Sequence, residues 1–288
     1  MKCKKFLAAA AACLMVAGLA ACGNEPSTPS NPDEKVFQIG IVQLAEHPAL
    51  DEATRGFKEF LTEKLGDKVQ FNVQNAQGEQ TNCTTIVTLV AINALAKESP
   101  IETIIASSYQ AVSGAGKNGI DELHDEVAAL AAGKPVEPKV FQYQIAYNVI
   151  PQIGGEAFEG YTSEEMKMQN EGRKIMHLPE LKVSCTCVRV PVVRSHSVSI
   201  VVRTKEKISV ERARELIAAA PGCRLVDDLA NKRYPMPLET SDQDLVFVGR
   251  IRDDLTSDNG LNIWCCGDQV RKGAATNAVQ IAQLLIAE

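Results

Sequence analysis

Apolar and polar positions change their period several times along the chain. VFQIGIVQ (36–43) reads as a buried strand, with Val36, Ile39, Ile41 and Val42 apolar. Pro48 suits the first turn of a helix over ALDEATRGFKEFLTEKL, in which Ala53, Phe57, Phe60 and Leu61 share one face. Gly66 ends that helix, and KVQFNVQNA alternates as the next strand, completing a βαβ unit that opens a parallel sheet. Beyond residue 82 the pattern changes. CTTIVTLVAINALA predicts an apolar helix and IETIIASSYQAV a strand; SGAGKNG reads as a Gly-rich loop before the amphipathic helix IDELHDEVAALAAG. SEEMKMQNEGRKIMH is a further helix, and VSCTCVRVPVV and SVSIVVRT read as neighbouring strands. SVERARELIAAAP is a helix opened by a serine cap with Glu in its first turn. The last long element, GDQVRKGAATNAVQIAQLLIAE, reads as a helix with one apolar face, and no internal repeat is present. The expected fold class is an α/β portion of one βαβ unit, followed by an α+β domain whose mixed, mainly antiparallel sheet is covered by helices on one face.

Composition narrows the partners. A 288-residue chain with 45% hydrophobic and 23% charged residues is long enough for a sizeable core. The net charge of −6, with no Lys/Arg stripe beyond the extreme N-terminus, argues against a nucleic-acid partner. Nine cysteines without framework-like spacing point to a reducing compartment. The N-terminus says otherwise. Lys2, Lys4 and Lys5 precede a short Ala-rich apolar run, which reads as a secretory signal over residues 1–22. Leu19-Ala20-Ala21-Cys22-Gly23 resembles the lipobox of bacterial lipoproteins, in which Cys22 would carry lipid. Residues 23–35, rich in Pro, Ser and Asn, then read as a linker. This segment implies an exported protein with a lipid anchor at Cys22.

Candidate chemistry begins at Cys83, where a helix opens. The positive end of the helix dipole lowers a thiol's pKa there, although a buried thiol would fit the same position. A nucleophilic thiol needs a base, and the chain has four histidines. His47 lies in the βαβ unit, His124 on a polar helix face and His177 near a helix end. His196 follows a strand, close to Arg189, Arg194 and Ser195. GAGKNG (114–119) formally fits G-x-G-x-x-G, but no acid-ending strand follows promptly, so a tight loop near a ligand is the better reading. Cys185 with Cys187, and Cys265 with Cys266, lack the spacing that lets two thiolates share one zinc. They read as buried thiols, and no metal is expected.

Two resemblances organise these residues. IGIVQLAEHPALDEATRGF and VQNAQGEQTN resemble the opening of the substrate-binding lipoproteins of ABC transporters, which assigns 36–82 to a truncated unit of that kind. From residue 82 onward, NCTT, SSYQAVSGAGKNGIDEL, YTSEEMKM, CTCVRVPVVRSHS, FVGRIRDD and GDQVRKGAATNAVQIA resemble aspartate-β-semialdehyde dehydrogenase. That resemblance assigns 83–288 to the catalytic and dimerisation region of an NADP-dependent oxidoreductase, expected to be a cytoplasmic homodimer. It implies that Cys83 is the nucleophile that forms a thioester, His196 the acid/base and Gln110 the group orienting the reacting centre. Arg189 would grip the substrate carboxylate, Glu164 its amino group and Lys167 the phosphate. Ser113, Gly114 and Gln269 would touch NADP. The implied reaction reduces L-aspartyl-4-phosphate to L-aspartate 4-semialdehyde with release of phosphate, a step towards lysine, threonine, methionine and diaminopimelate. The residue types suit such a substrate, since a planar guanidinium matches a carboxylate and Glu164 and Lys167, three apart, share a helix face. The family's main phosphate-binding loop has no counterpart in the 36–82 unit, and the two resemblances meet inside NAQGEQTNCTTI, so the chain reads as a chimera. Residues 1–82 alone would instead imply a ligand-binding lipoprotein fragment, and a hybrid with no activity is the third reading.

Overall fold

The computed structural model describes residues 37–43, 48–75, 83–272 and 280, and these fall into two compact units. The first is small. Strand β1 (Phe37–Gln43), helix α1 (Pro48–Leu65) and strand β2 (Val69–Asn75) form a βαβ unit, with β1 and β2 parallel in the register Phe37↔Val69 to Gln43↔Asn75. Gly66, at φ +54, turns the chain out of α1, as only a residue without a Cβ does freely. Ile41, Leu61 and Val69 are buried in this unit. Phe60, expected on the buried face of α1, is 46% exposed, with Lys64 Nζ 5.8 Å from its ring centroid. Residues 1–36, with the signal, the lipobox Cys22 and the whole linker, and His47 lie outside the described residues.

The second unit carries helix α2 (Cys83–Ala96), strand β3 (Ile101–Gln110), helix α3 (Gly116–Ala131), the short hairpin β4 (Glu156–Phe158) and β5 (Tyr161–Thr162), and helix α4 (Ser163–Ile175). Strands β6 (Lys182–Arg189) and β7 (His196–Thr204), helix α5 (Val210–Ala218), strand β8 (Cys223–Leu225), helix α6 (Pro237–Thr240) and strands β9 (Val246–Asp253) and β10 (Gly260–Gly267) complete it. Six strands make one mixed sheet in the order β6-β3-β7-β10-β9-β8. The β3–β7, β7–β10 and β10–β9 pairs are antiparallel; the outer pairs β3–β6 and β8–β9 are parallel.

One face of the sheet carries the core. Val87, Ile92 and Leu95 of α2, Met168 of α4, and Ala213 and Ile217 of α5 pack onto Ile104, Val198, Ile200, Val202, Val248 and Ile263. Each of these side chains larger than alanine contributes about 1.5–3 kcal/mol when removed from water. The opposite face is left partly bare, with Ile105 42% and Tyr109 37% exposed and Trp264 against Tyr109. A second apolar cluster of Val112, Leu123, Ile145, Ala146 and Ile150 joins α3 to the irregular segment that follows it.

Three expectations change here. Strands β6 and β7 share the sheet but are not neighbours, because β3 lies between them. Residues 190–195 form a strap over the end of β3 rather than a hairpin turn, accepting from Val112 N and Ser113 N through the carbonyls of Val192 and Val193. The Gly-rich stretch is not a loop either. A tight helical turn spans Val112–Ala115, and α3 starts at Gly116, whose φ of +74 makes the entry bend. Finally, the helix expected from residue 267 starts later, since Gly267 is the last residue of β10, paired with His196, and helical backbone resumes at 271–272.

Candidate active site

The carboxyl end of β3 is where the expected residues collect. Gln110 ends that strand, is buried, and donates through Nε2 to Ser108 Oγ at 3.2 Å. It lies beside Arg189, its cross-strand partner at the end of β6. The next residue, Ala111, holds two of the candidates through its backbone. Its N–H donates to His196 Nδ1 at 3.1 Å, and its carbonyl accepts from Arg189 Nη1 at 2.6 Å. Gly114 completes the enclosure, because a Cβ there would lie 2.5 Å from Arg189 Nη1 and 3.4 Å from His196 Cε1.

This geometry sets protonation states. With Nδ1 accepting an amide hydrogen, the neutral imidazole carries its proton on Nε2. Burial pushes the His196 pKa well below its ordinary value, and the nearby Arg189 charge pushes the same way. His196 is therefore neutral at pH 7, with Nε2–H as its free donor. Burial also lowers Arg189, to about 10, while Glu164 and Cys187 act to raise it. The guanidinium still keeps its charge at neutral pH. Its Cζ sits 5.8 Å from the Phe141 ring centroid, and its backbone is locked by paired hydrogen bonds with Ile150.

Helix α4 brings the two charged candidates alongside. Thr162 caps it reciprocally: Thr162 Oγ1 accepts from Glu165 N, and Thr162 N donates to Glu165 Oε2. The other carboxylate oxygen of Glu165 accepts from Cys187 N at 3.0 Å, which fastens the first turn of α4 to β6 two residues before Arg189. Glu164 and Lys167, on the same helix, form an ion pair at 3.6 Å, partly exposed. Ser113 and Gln269 also meet, with Gln269 Nε2 donating to Ser113 Oγ at 2.5 Å. Cys83 opens α2, as expected; its side chain lies outside the described residues.

A family model for the dimerisation domain of semialdehyde dehydrogenases matches residues 92–272. The chain belongs to the semialdehyde dehydrogenase family. It is 48% identical over 209 residues to the aspartate-semialdehyde dehydrogenase of Aquifex aeolicus, covering 72% of this chain and 61% of that protein. The Bacillus subtilis aspartate-semialdehyde dehydrogenase is 43% identical over 212 residues, covering 71% and 61%. Among solved structures, aspartate semialdehyde dehydrogenase II of Vibrio cholerae, complexed with ASA, superposes with a TM-score of 0.70 at 39% identity, covering 82% of this chain and 66% of that one. The chain thus spans about three fifths of the length of the curated relatives it matches.

Within this family frame, Gln110, Arg189, His196, Ser113, Gly114 and Gln269 sit around one strand end, with Glu164 and Lys167 on the helix tied beside it. Cys185, Cys187, Cys265 and Cys266 are buried in strands. Burial raises the pKa of Cys265, and the contact with Cys187 together with burial raises that of Cys185, so these thiols stay protonated. Several contributors carried little or no sequence signal. Ala111 acts through backbone atoms, which no residue type announces. Phe141 is one aromatic in an irregular segment. Glu165 looks like any cap, although its spacing from Thr162 marks a capping box.

Proposed function

We propose that this chain carries the aspartate-semialdehyde dehydrogenase site, acting on L-aspartyl-4-phosphate and L-aspartate 4-semialdehyde. The observation that carries the reading is the Ala111 peptide, which holds a neutral His196 and a cationic Arg189 together at one strand end. Arg189 offers the substrate carboxylate a buried, preoriented cation. Glu164 and Lys167 pair with each other and would exchange that contact for the substrate's ammonium and phosphate. Cys83 is the nucleophile of the reading, at the positive end of α2. Its attack on the acyl phosphate forms a thioester and expels phosphate. His196 presents Nε2–H, and so serves as hydrogen-bond donor to the reacting oxygen, where negative charge develops. Gln110, held by Ser108, orients the reacting carbonyl.

NADP is the cofactor implied by the family resemblance, and part of its site is consistent with this chain. Ser113 Oγ and the Gln269 amide stand beside the entry to α3, where a Cβ on Gly116 would meet no atom. Ser113, Gly114 and Gln269 would hold it; when bound it supplies or accepts hydride. A homodimer is proposed as well, through the bare sheet face bearing Ile105 and Tyr109, which fits a dimerisation domain.

The test is phosphate-dependent reduction of NADP⁺ by L-aspartate 4-semialdehyde with the full chain. Turnover that requires phosphate and disappears in Cys83→Ser supports the reading. No phosphate-dependent turnover in the wild-type chain overturns the activity, and turnover that survives Cys83→Ser overturns the nucleophile.

A further inference from the structure

His196 is delivered to the site by the strap 190–195, and the last residue of that strap is bent. Ser195 is fully buried and has φ +74, a left-handed backbone that costs a residue with a side chain and persists when its surroundings impose it. Three contacts surround this bend. Ser195 N donates to Gln269 Oε1 at 3.1 Å, and Ser195 Oγ lies 3.1 Å from Ser241 Oγ, which donates to Pro237 O at 2.8 Å. The residue before it, Arg194, places Nε 2.8 Å from Asp268 Oδ2 and Nη1 2.8 Å from Asp242 Oδ1.

Asp268 ties these pieces together. It is completely buried, follows the end of β10 and immediately precedes Gln269. Its Oδ2 accepts from Asp242 N at 2.7 Å as well as facing Arg194, and its Oδ1 accepts from Val270 N at 3.0 Å. One carboxylate therefore joins the strap, the loop after α6 and the turn that carries Gln269. A buried carboxylate without its cation is strongly unfavourable, so Arg194 is held where it stands. With Arg194 and Gln269 both placed by this junction, the backbone on each side of Ser195 has little freedom.

We propose that Asp268 and Arg194 are positioning residues for His196: their ion pair imposes the left-handed Ser195, which turns the imidazole so that Nδ1 meets Ala111 N–H and Nε2 is left for the substrate. The proposal rests on the reading of His196 as a group that acts on the substrate through Nε2–H. The tautomer itself can be tested without turnover.

The experiment uses the full chain with ¹⁵N-labelled histidine, read by long-range ¹H–¹⁵N correlation of the imidazoles. His196 is assigned by the signals lost in His196→Gln. In the wild type, His196 shows two well-separated nitrogens with the proton on Nε2. In Asp268→Asn the two nitrogens converge as the tautomers exchange, and kcat falls by about 10- to 100-fold with little change in KM. Adding Ser195→Gly to Asp268→Asn restores the separated signals, because glycine adopts φ +74 without the clamp. Arg194→Lys keeps the charge but loses the two-pronged contact, and gives an intermediate spectrum should Asp268→Asn fail to fold. A wild-type-like His196 spectrum in folded Asp268→Asn, or in Arg194→Lys, overturns the proposal while leaving the enzymatic reading intact. Converged signals without rescue by Ser195→Gly also overturn it, since the clamp would then act otherwise than through this bend. A shifted tautomer in a chain that shows no wild-type turnover supports the positioning role and counts against the enzymatic reading.

Discussion

Replacing Glu122 by Gln should loosen the segment that backs Arg189. Glu122 is buried on α3, and its carboxylate accepts three backbone N–H groups: Lys139 at 2.9 Å and Val140 at 2.5 Å on Oε2, and Phe141 at 3.1 Å on Oε1. One turn on, Glu126 Oε2 accepts from Ile145 and Ala146, so two carboxylates hold an irregular stretch that has no strand partner along 139–146. A hydrogen bond to a charged acceptor contributes about 1.5–3 kcal/mol, and a neutral one about 0.5–1.5. Glutamine keeps one oxygen and turns an NH₂ towards a donor, so at least one charged bond is lost and the others weaken. Water reaches Lys139 and Val140, which are exposed, and offsets part of this. The expected loss is therefore about 2–4 kcal/mol. Denaturant unfolding should show it, and amide exchange at Phe141 should rise. Because Phe141 stacks near the Arg189 guanidinium, KM for the substrate should rise more than kcat falls. A loss under about 1 kcal/mol with unchanged exchange at Phe141 would refute the carboxylate ladder as the organiser of this segment.

Two further outcomes follow from the same geometry. His196 has its pKa depressed by burial and by Arg189, so the unfolded chain binds more protons below pH ~6.5. Stability from the neutral ring is full above that pH and is lost as pH falls towards the folded pKa, at up to about 1.4 kcal/mol per pH unit. His196→Gln should lack this component, and parallel slopes in the two proteins would contradict the assignment. On the bare sheet face, Ile105→Arg should weaken a homodimer by ~100-fold or more, because a two-fold contact sets the new charge against its own copy's surface. Analytical sedimentation measures this, and an unchanged dimer would place the interface elsewhere.

Much of the fold was legible because its elements follow local rules. The apolar run of α2, the alternation of β3 and β7 and the Ser209 cap on α5 all follow from spacing and side-chain chemistry. The βαβ unit was legible for the same reason. What failed was non-local. The order β6-β3-β7 cannot be read from two strands separated by six residues, since proximity in sequence favours a hairpin. The glycines of GAGKNG read as a tight loop because three fall close together. Gly116 does supply a bend, but Gly114 is there because Arg189 leaves no room for a Cβ, and Gly119 because Val112 O would lie 2.5 Å from one. Close approach and backbone bending leave the same letter in a sequence.

The site divides in the same way. The groups that could touch a substrate are chemically distinctive, and a guanidinium, a carboxylate, an amine, an imidazole and a thiol can be singled out by type. The groups that aim them are not distinctive. Ala111 orients His196 and Arg189 with a peptide unit that any residue type would supply, and Glu165 fixes α4 on β6 while looking like an ordinary first-turn acid. Asp268 is the exception in kind, since a carboxylate is conspicuous, yet nothing near it in sequence names its partner. Arg194 lies 74 residues earlier, the same interval that separates Ser195 from Gln269. Both contacts lie just beyond the Gly267–His196 pair of the antiparallel β7–β10 register, which brings these two stretches together, but the side chains cross it, since the register alone would set Ser195 opposite Asp268. That register makes the strap and the turn beside Gln269 one mechanical unit. Any substitution that shifts β7 against β10 should therefore disturb His196 and Gln269 together, whichever strand carries it.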